Sequence, residues 1–441
     1  MIDKKLAVVL MVMLAVGPSS AQQIDKSGLP VLSGAMTITD VVDAALKYSP
    51  DVAYKCAALR AANARIGMSK AMTRLQLSAT LTGTTGTMLM IVSGPEGVSP
   101  QNLQGVPNNP RAVQNFMLMY PLYTGGKLRS RVNSASALAK AATSEVAMSE
   151  LDVALAAKVY YYMVILAQRY VDSYQKRVDE SKERVRIAEE SFKVGRIAKY
   201  DLLRNQTDLA EAEQVLTNAQ KDLQVGVINL KATMGISPES NVSVSGGLDF
   251  LETARTLEDL RSVALQQRPE VAAAHARIRA AGATVSVAKG AYKPQIYATA
   301  MQDFEATRDN GSSQGYIVGI TAAIPILDGG LRTSGVSEAQ AMLNQMRADE
   351  RGVVLNVSKD VDTAFAELGA ASRNVELAKA AVAQAEEDYR VIKLRYESGK
   401  AVNVEVLDAL ATLTRSQTNY AQALYEHNVA RETLARAIGQ K

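Results

Sequence analysis

Between Val357 and Tyr396 the chain reads VSKDVDTAFAELGAASRNVELAKAAVAQAEEDYRVIKLRY. Alternating steps of four and three pick out Val357, Val361, Ala364, Leu368, Ala371, Val375, Ala378, Val382, Ala385, Tyr389, Ile392 and Tyr396, all apolar or aromatic. The mean step of about 3.5 residues is a heptad seam, which predicts a long, coiled-coil-like helix. Subtracting 204 from each number gives Val153, Ala157, Tyr160, Val164, Ala167, Val171, Tyr174, Val178, Ser181, Val185, Ala188 and Phe192, of which only Ser181 is polar. The chain therefore carries the same long helix twice.

Upstream of each seam the duplication continues. At an offset of 219, Thr37, Asp40, Leu46, Pro50, Val52 and Lys70 correspond to Thr256, Asp259, Leu265, Pro269, Val271 and Lys289. Ser49-Pro50-Asp51 is a helix start, with a capping side chain, a proline in the first turn and an acid at the positive end. The drop in offset from 219 to 204 leaves 15 extra residues in the first repeat, between about Gly83 and Phe116, where the Pro- and Gly-rich composition reads as a long loop. The matching loop, Thr307 to Gln314, is short and has Asn310-Gly311 as its turn signal. Both loops are flanked by runs of period two, giving strands at about 76–92, 111–123, 295–306 and 315–327. Runs of this length suit tilted membrane-spanning strands, with Phe116, Tyr120, Tyr123, Tyr297 and Tyr316 as interfacial aromatics; pattern alone leaves open two soluble hairpins.

Each second strand runs into one signature: Pro121 with Gly125-Gly126, and Pro325 with Gly329-Gly330. Proline is expected to end the ladder, and the glycines to turn the backbone into the long helix, about Lys127 to Lys193 and Leu331 to Glu397. At 1.5 Å per residue each helix is about 100 Å long and needs neighbours along its length. Both end at a glycine turn, Val194-Gly195-Arg196 and Ser398-Gly399-Lys400, followed by a return helix. The organisation expected is a signal peptide (1–21), a linker (22–36), repeat one (37–235), an inter-repeat linker (236–255) and repeat two (256–441).

Composition narrows the function. Asp3-Lys4-Lys5, the apolar run Leu6–Val16 and small residues before a cut after Ala21 read as a secretory signal, and Gln22 after the cut as a non-lipidated mature end. No later segment offers about 18 uninterrupted apolar residues, so a membrane location requires a barrel. The single cysteine, Cys56, excludes an internal disulfide and is expected to be small and buried; His275 and His427 are expected at the surface. A net charge of +4 without a basic cluster or aromatic platform gives no support for nucleic acid. There is no nucleophile motif, phosphate loop or metal-ligand cluster, so neither an enzyme nor a cofactor is expected.

Four strands cannot close a barrel whose smallest version needs about eight, and open edges are not tolerated in lipid. The chain must then oligomerise: a dimer gives 8 strands, a trimer 12, and only the trimer leaves an open lumen. Together these features resemble the TolC-like outer-membrane efflux proteins, from about Thr37 to Gly439 and most specifically over Tyr396–Ala409. The resemblance implies an α+β membrane protein: a homotrimer with one 12-stranded barrel in the outer membrane of a Gram-negative bacterium, contacting its lipid, and a helical tunnel in the periplasm. It implies a passive exit duct for efflux or type I secretion, fed by an inner-membrane transporter through a periplasmic adaptor. The competing reading is a secreted or periplasmic coiled-coil scaffold without a pore.

The resemblance also assigns sites. It puts the two glycine turns at the periplasmic tip, with Val194, Gly195, Arg196, Ser398, Gly399 and Lys400 as adaptor contacts; the plainer reading is that the glycines only permit the turn. Asn403 reads as a helix N-cap, with Glu405 and Asp408 on one face of the first turns. Subtracting 204 maps Glu405 onto Asp201 but Asp408 onto Arg204, so only repeat two pairs its acids. By resemblance Glu405 and Asp408, with Asp201, line a constricted entrance; a trimer would stack two rings of three carboxylates. The plainer reading is that first-turn acids complement the helix dipole, worth about 0.3–1 kcal/mol each.

Overall fold

The structure, a computed structural model, describes residues 25, 28–84, 88–91, 103–106, 111–251, 255–307 and 311–441. The expected signal peptide, its cut and most of the long first loop lie outside them. Two short helices open each repeat: α1 (Ile38–Tyr48) and α2 (Pro50–Ala71), then α5 (Leu257–Gln267) and α6 (Pro269–Gly290). The long helices are α3 (Lys127–Lys193) and α7 (Leu331–Glu397), 67 residues each, returning through α4 (Lys199–Met234) and α8 (Asn403–Ala437). The duplication reaches the caps: Thr37 accepts from the Asp40 amide at 3.4 Å, and Thr256 from the Asp259 amide at 3.3 Å.

The chain divides into two compact units that cut across the repeats. The first comprises Met1–Cys56, Glu145–Val271 and Val354–Lys441. Its core packs Val41 and Ala45 of α1 against Val153, Ala157, Tyr161 and Val164 of α3 and Leu230 and Met234 of α4. Leu230 and Met234 are essentially inaccessible, and such burial is worth about 1.5–3 kcal/mol per side chain. The heptad seam faces inward here. None of its twelve positions on α7 is exposed, and on α3 only Phe192 is. The two segments read as linkers are joined: β1 (Ser33–Met36) pairs in parallel with β6 (Asn241–Val244), Ser33 opposite Asn241 through Met36 opposite Val244. Tyr161 donates to the Ser245 carbonyl at 2.8 Å beneath Gly246, where φ is +156° and a Cβ would meet the phenol oxygen at 2.2 Å.

The second unit, Ala57–Ser144 with Ala272–Val353, holds the main sheet. Its antiparallel order is β2 (Gln76–Thr84), β5 (Arg111–Tyr123), β7 (Gln295–Thr307), β8 (Gly311–Ala323), so the pairing of β5 with β7 joins the repeats. Sequence reading extended the first strand to 92. Instead β2 stops at Thr84, and β3 (Met88–Ile91) pairs with β4 (Leu103–Val106) as a separate ribbon inside the segment read as loop. The fourth strand starts at Gly311, within the segment read as the short loop, and ends at Ala323. Pro121 does not end its ladder: β5 runs on to Tyr123 with a register shift between Pro121 and Tyr123, a bulge that accommodates the missing N–H. Beside the sheet, Val285 of α6 packs on Ala339 and Leu343 of α7.

Among the described residues no helix is long and apolar enough to cross a membrane. Cys56 is only half-buried, packed against the core of the first unit. His427 is fully buried rather than at the surface, because the chain preceding repeat two brings Phe250 over it with ring centroids 4.7 Å apart.

Candidate functional site: helix tips, first turns and strand junctions

Both long helices end in the same backbone motif. Gly195 (φ +74°) donates to the Phe192 carbonyl at 2.9 Å and Arg196 to Ser191 at 2.8 Å; Gly399 (φ +72°) donates to Tyr396 at 2.9 Å and Lys400 to Arg395 at 2.8 Å. The left-handed glycine closes the orphan carbonyls of the last turn. Val194, Arg196, Ser398 and Lys400 are all exposed. The strand-to-helix turns are duplicated as closely: φ is +62° and +85° at Gly125 and Gly126, and +62° and +91° at Gly329 and Gly330.

Asn403 is not the N-cap. Val402 has the extended cap backbone and no side-chain cap bond, and Asn403 is the first helical residue, its amide nitrogen buried without a partner. Val402 supplies no side-chain cap, although its carbonyl accepts from the Glu405 amide at 3.1 Å, and Glu405 stands in that first turn. Glu405 and Asp408 are exposed; Asp201 is half-buried in the first turn of α4. Asp408 lines an open groove with Arg177, Tyr200, Arg204 and Asp208. The structure thus sets Asp408 and Arg204, which occupy equivalent positions of the two repeats, at one groove.

Beside it lies a polar cluster that motif reading missed. Asp208 accepts from Arg177 at 3.0 Å, from Arg184 at 3.0 Å and from the Ser181 hydroxyl at 2.8 Å. Ser181 is 1% exposed and is the one polar residue of the α3 seam, so the break in the heptad pattern marked this cluster. Tyr389 of the α7 seam donates to Glu180 of α3 at 3.1 Å. Burial, with Glu180 adjacent, pushes the Tyr389 phenol up to about 12, so it stays a donor at any physiological pH. A second cluster fastens the chain's far helices: buried Arg268 reaches Glu270 at 2.8 Å, Asp360 at 3.3 Å and the Ala437 carbonyl at 3.2 Å. Among the described residues no group of three or more His, Cys, Asp or Glu is placed to hold a metal ion.

Comparison with known proteins agrees with this architecture. The family model described as "Outer membrane efflux protein" matches residues 41–236 and 260–440. The cobalt-zinc-cadmium resistance protein CzcC of Cupriavidus metallidurans is 24% identical over 73% of this chain and 75% of its own. The pyoverdine export outer membrane protein OpmQ of Pseudomonas aeruginosa is 23% identical over 92% of this chain and 85% of its own. The Campylobacter jejuni CmeC outer membrane channel superposes with a TM-score of 0.77 at 18% identity, covering 91% of this chain and 85% of that one.

Proposed function

The chain belongs to the outer membrane efflux protein family, and on that premise we propose that it forms a homotrimeric, passive exit duct from periplasm to exterior, without bond chemistry of its own. One observation carries the proposal. A four-stranded sheet leaves two open edges, β2 and β8, and all thirteen residues of β8 are exposed, Tyr316, Val318 and Ile320 above 70%. An edge of this kind demands a partner strand. Three copies joined β8 to β2 would close twelve strands into a barrel wide enough to conduct.

The helices support the same reading. Leu355 and Leu377 on α7 are about 70% exposed, on positions outside the seam. Apolar side chains of this size are covered when neighbouring copies pack their helices side by side. The tips carrying Gly195 and Gly399 would then meet a periplasmic adaptor that an inner-membrane transporter feeds, and Glu405, Asp408 and Asp201 would ring the periplasmic entrance. Of the relatives, one is named for resistance to cobalt, zinc and cadmium and the other for pyoverdine export, so what they share is the duct rather than a cargo.

Outer-membrane fractionation, an unheated gel and planar-bilayer recording test the proposal. A heat-dissociable trimer in the outer-membrane fraction with single-channel conductance is expected. A soluble periplasmic protein without conductance would establish the scaffold reading instead.

A further inference from the structure

The sheet joins its helices at one end only. Gln76, Tyr123, Gln295 and Ala323 are the helix-side ends of the four strands, because α2 enters β2, β5 leaves into α3, α6 enters β7 and β8 leaves toward α7. Three of these junctions are crowded with cations. Lys70 and Arg74 precede β2; Lys127, Arg129 and Arg131 follow β5; Lys289 and Lys293 precede β7. None of the seven makes an ion pair with a carboxylate among the described residues. No acid is within reach in sequence: α2 has none after Asp51, α3 none before Glu145 and α6 none after Glu270. Among the described residues of the four strand–helix junctions the only acid is Asp328, which is taken by Arg332, and the sheet's own acids, Asp303 and Glu305, lie toward the opposite end.

On the strand side of the cations lie exposed apolar and aromatic side chains: Leu75 just before β2, Leu77 on it, Tyr123 at the end of β5, and Ile326 and Leu327 after β8, the last two above 90% exposed; the exposed polar residues Gln76, Ser78 and Thr80 alternate with them on the opposite face of β2. Apolar, then aromatic, then cationic is the sequence of side chains at a bilayer boundary, where Lys and Arg stems lie along apolar surface with the charge in the headgroups. A water-filled lumen would be lined by polar residues instead. We infer that this cationic belt binds the anionic phospholipid headgroups of the membrane leaflet facing the helices, which rests on the barrel reading above. Seven uncompensated charges distinguish an anionic headgroup from a zwitterionic one, since each basic residue near an anionic surface favours partition roughly fivefold.

The test uses the full chain extracted in detergent, offered phosphatidylglycerol and phosphatidylethanolamine in competition and read by native mass spectrometry. Phosphatidylglycerol is expected to be retained severalfold over phosphatidylethanolamine at low salt. The preference should vanish near 1 M salt, where screening acts within about 3 Å. Lys70→Gln, Arg74→Gln, Lys289→Gln and Lys293→Gln together should bring retention toward parity while insertion and conductance persist. Equal retention by the wild type, or a preference indifferent to salt, overturns the inference without any variant. So does a quadruple variant whose anion conductance changes while its lipid preference does not, because the cations would then face the lumen. A wild type that enters vesicles of no composition removes the barrel reading itself, whereas one that inserts but shows no headgroup preference removes only the belt.

Discussion

Glu405 and Asp408 are exposed on α8, at a helix start without a side-chain cap. A role limited to the helix dipole predicts that Glu405→Ala with Asp408→Ala loses at most about 1 kcal/mol each and leaves conduction alone. A ring of carboxylates in a throat predicts more: the double variant should lose cation preference and sensitivity to divalent block in a planar bilayer. Wild-type selectivity and block in that variant would remove both acids from the pore lining. His427 gives a prediction about pH. Burial, reinforced by Arg431 and only partly offset by the nearby Leu251 backbone, holds its imidazole below the usual 6.5, and among the described residues neither ring nitrogen has a well-aligned hydrogen-bond partner. A histidine with a depressed folded pKa contributes stability above pH 6.5 and loses it as pH falls below that value. The midpoint of thermal unfolding should therefore fall on acidification from pH 7 to 5, and less so in His427→Gln. Glu432, held low by Lys158 and Arg431 against the opposing effect of its own burial, loses its contribution only below 4.5, which separates the two windows. The polar residues beside it, Glu426 and Asn428, suggest a surface position for His427, but steps of four and three through Ala423, His427, Ala430, Leu434 and Ala437 put it on a buried line of α8, where Phe250 covers it.

At the scale of elements, what is periodic was legible and what is paired across the chain was not. The heptad seam, the four glycine turns and three of the four main strands follow from local spacing to within a few residues, whereas Asn403 is not the cap that its residue type suggests and the first strand stops at Thr84 rather than 92. The β1–β6 ladder, the Asp208 cluster and the Arg268 cluster depend on residues far apart in sequence, to which no window of periodicity has access. The glycine turns supply two tests. A Cβ at Gly125 would lie 2.5 Å from Lys293 Cβ and 2.8 Å from the Gly290 carbonyl, whereas Gly126 has nothing within 4 Å. Both have positive φ, so each alanine costs about 1–3 kcal/mol in backbone strain. Gly125→Ala must also displace the backbone of the α6–β7 junction, and its unfolding midpoint should lie below that of Gly126→Ala. At the tips, Arg196→Glu with Lys400→Glu keeps the glycines and reverses only the exposed charge. Crosslinking to the adaptor should weaken in that variant while the oligomer stays intact; unchanged crosslinking and export would leave the tips with a turn-forming role alone.

The proposed stoichiometry can be tested at the edges of the sheet. Within one copy every strand of the main sheet is paired except on the outer sides of β2 and β8, and these two edges come from opposite ends of the sheet order. An edge that pairs with a different edge makes a head-to-tail contact, which closes into a ring if the rotation allows and otherwise runs on as a fibre. Four strands per copy make the ring sizes distinguishable: eight strands at two copies, twelve at three, sixteen at four. Eight leaves an interior just wide enough for side chains, and twelve opens a lumen. Cysteines placed in pairs along β2 at Leu77 or Leu81 and along β8 at Val318 or Ile320, with Cys56→Ser to remove the native thiol, should form disulfides only between copies. On a denaturing gel without reductant the products should form a ladder that ends at three. A ladder ending at two would give a barrel too narrow to conduct, and one that continues past four would mean the edges do not close at all.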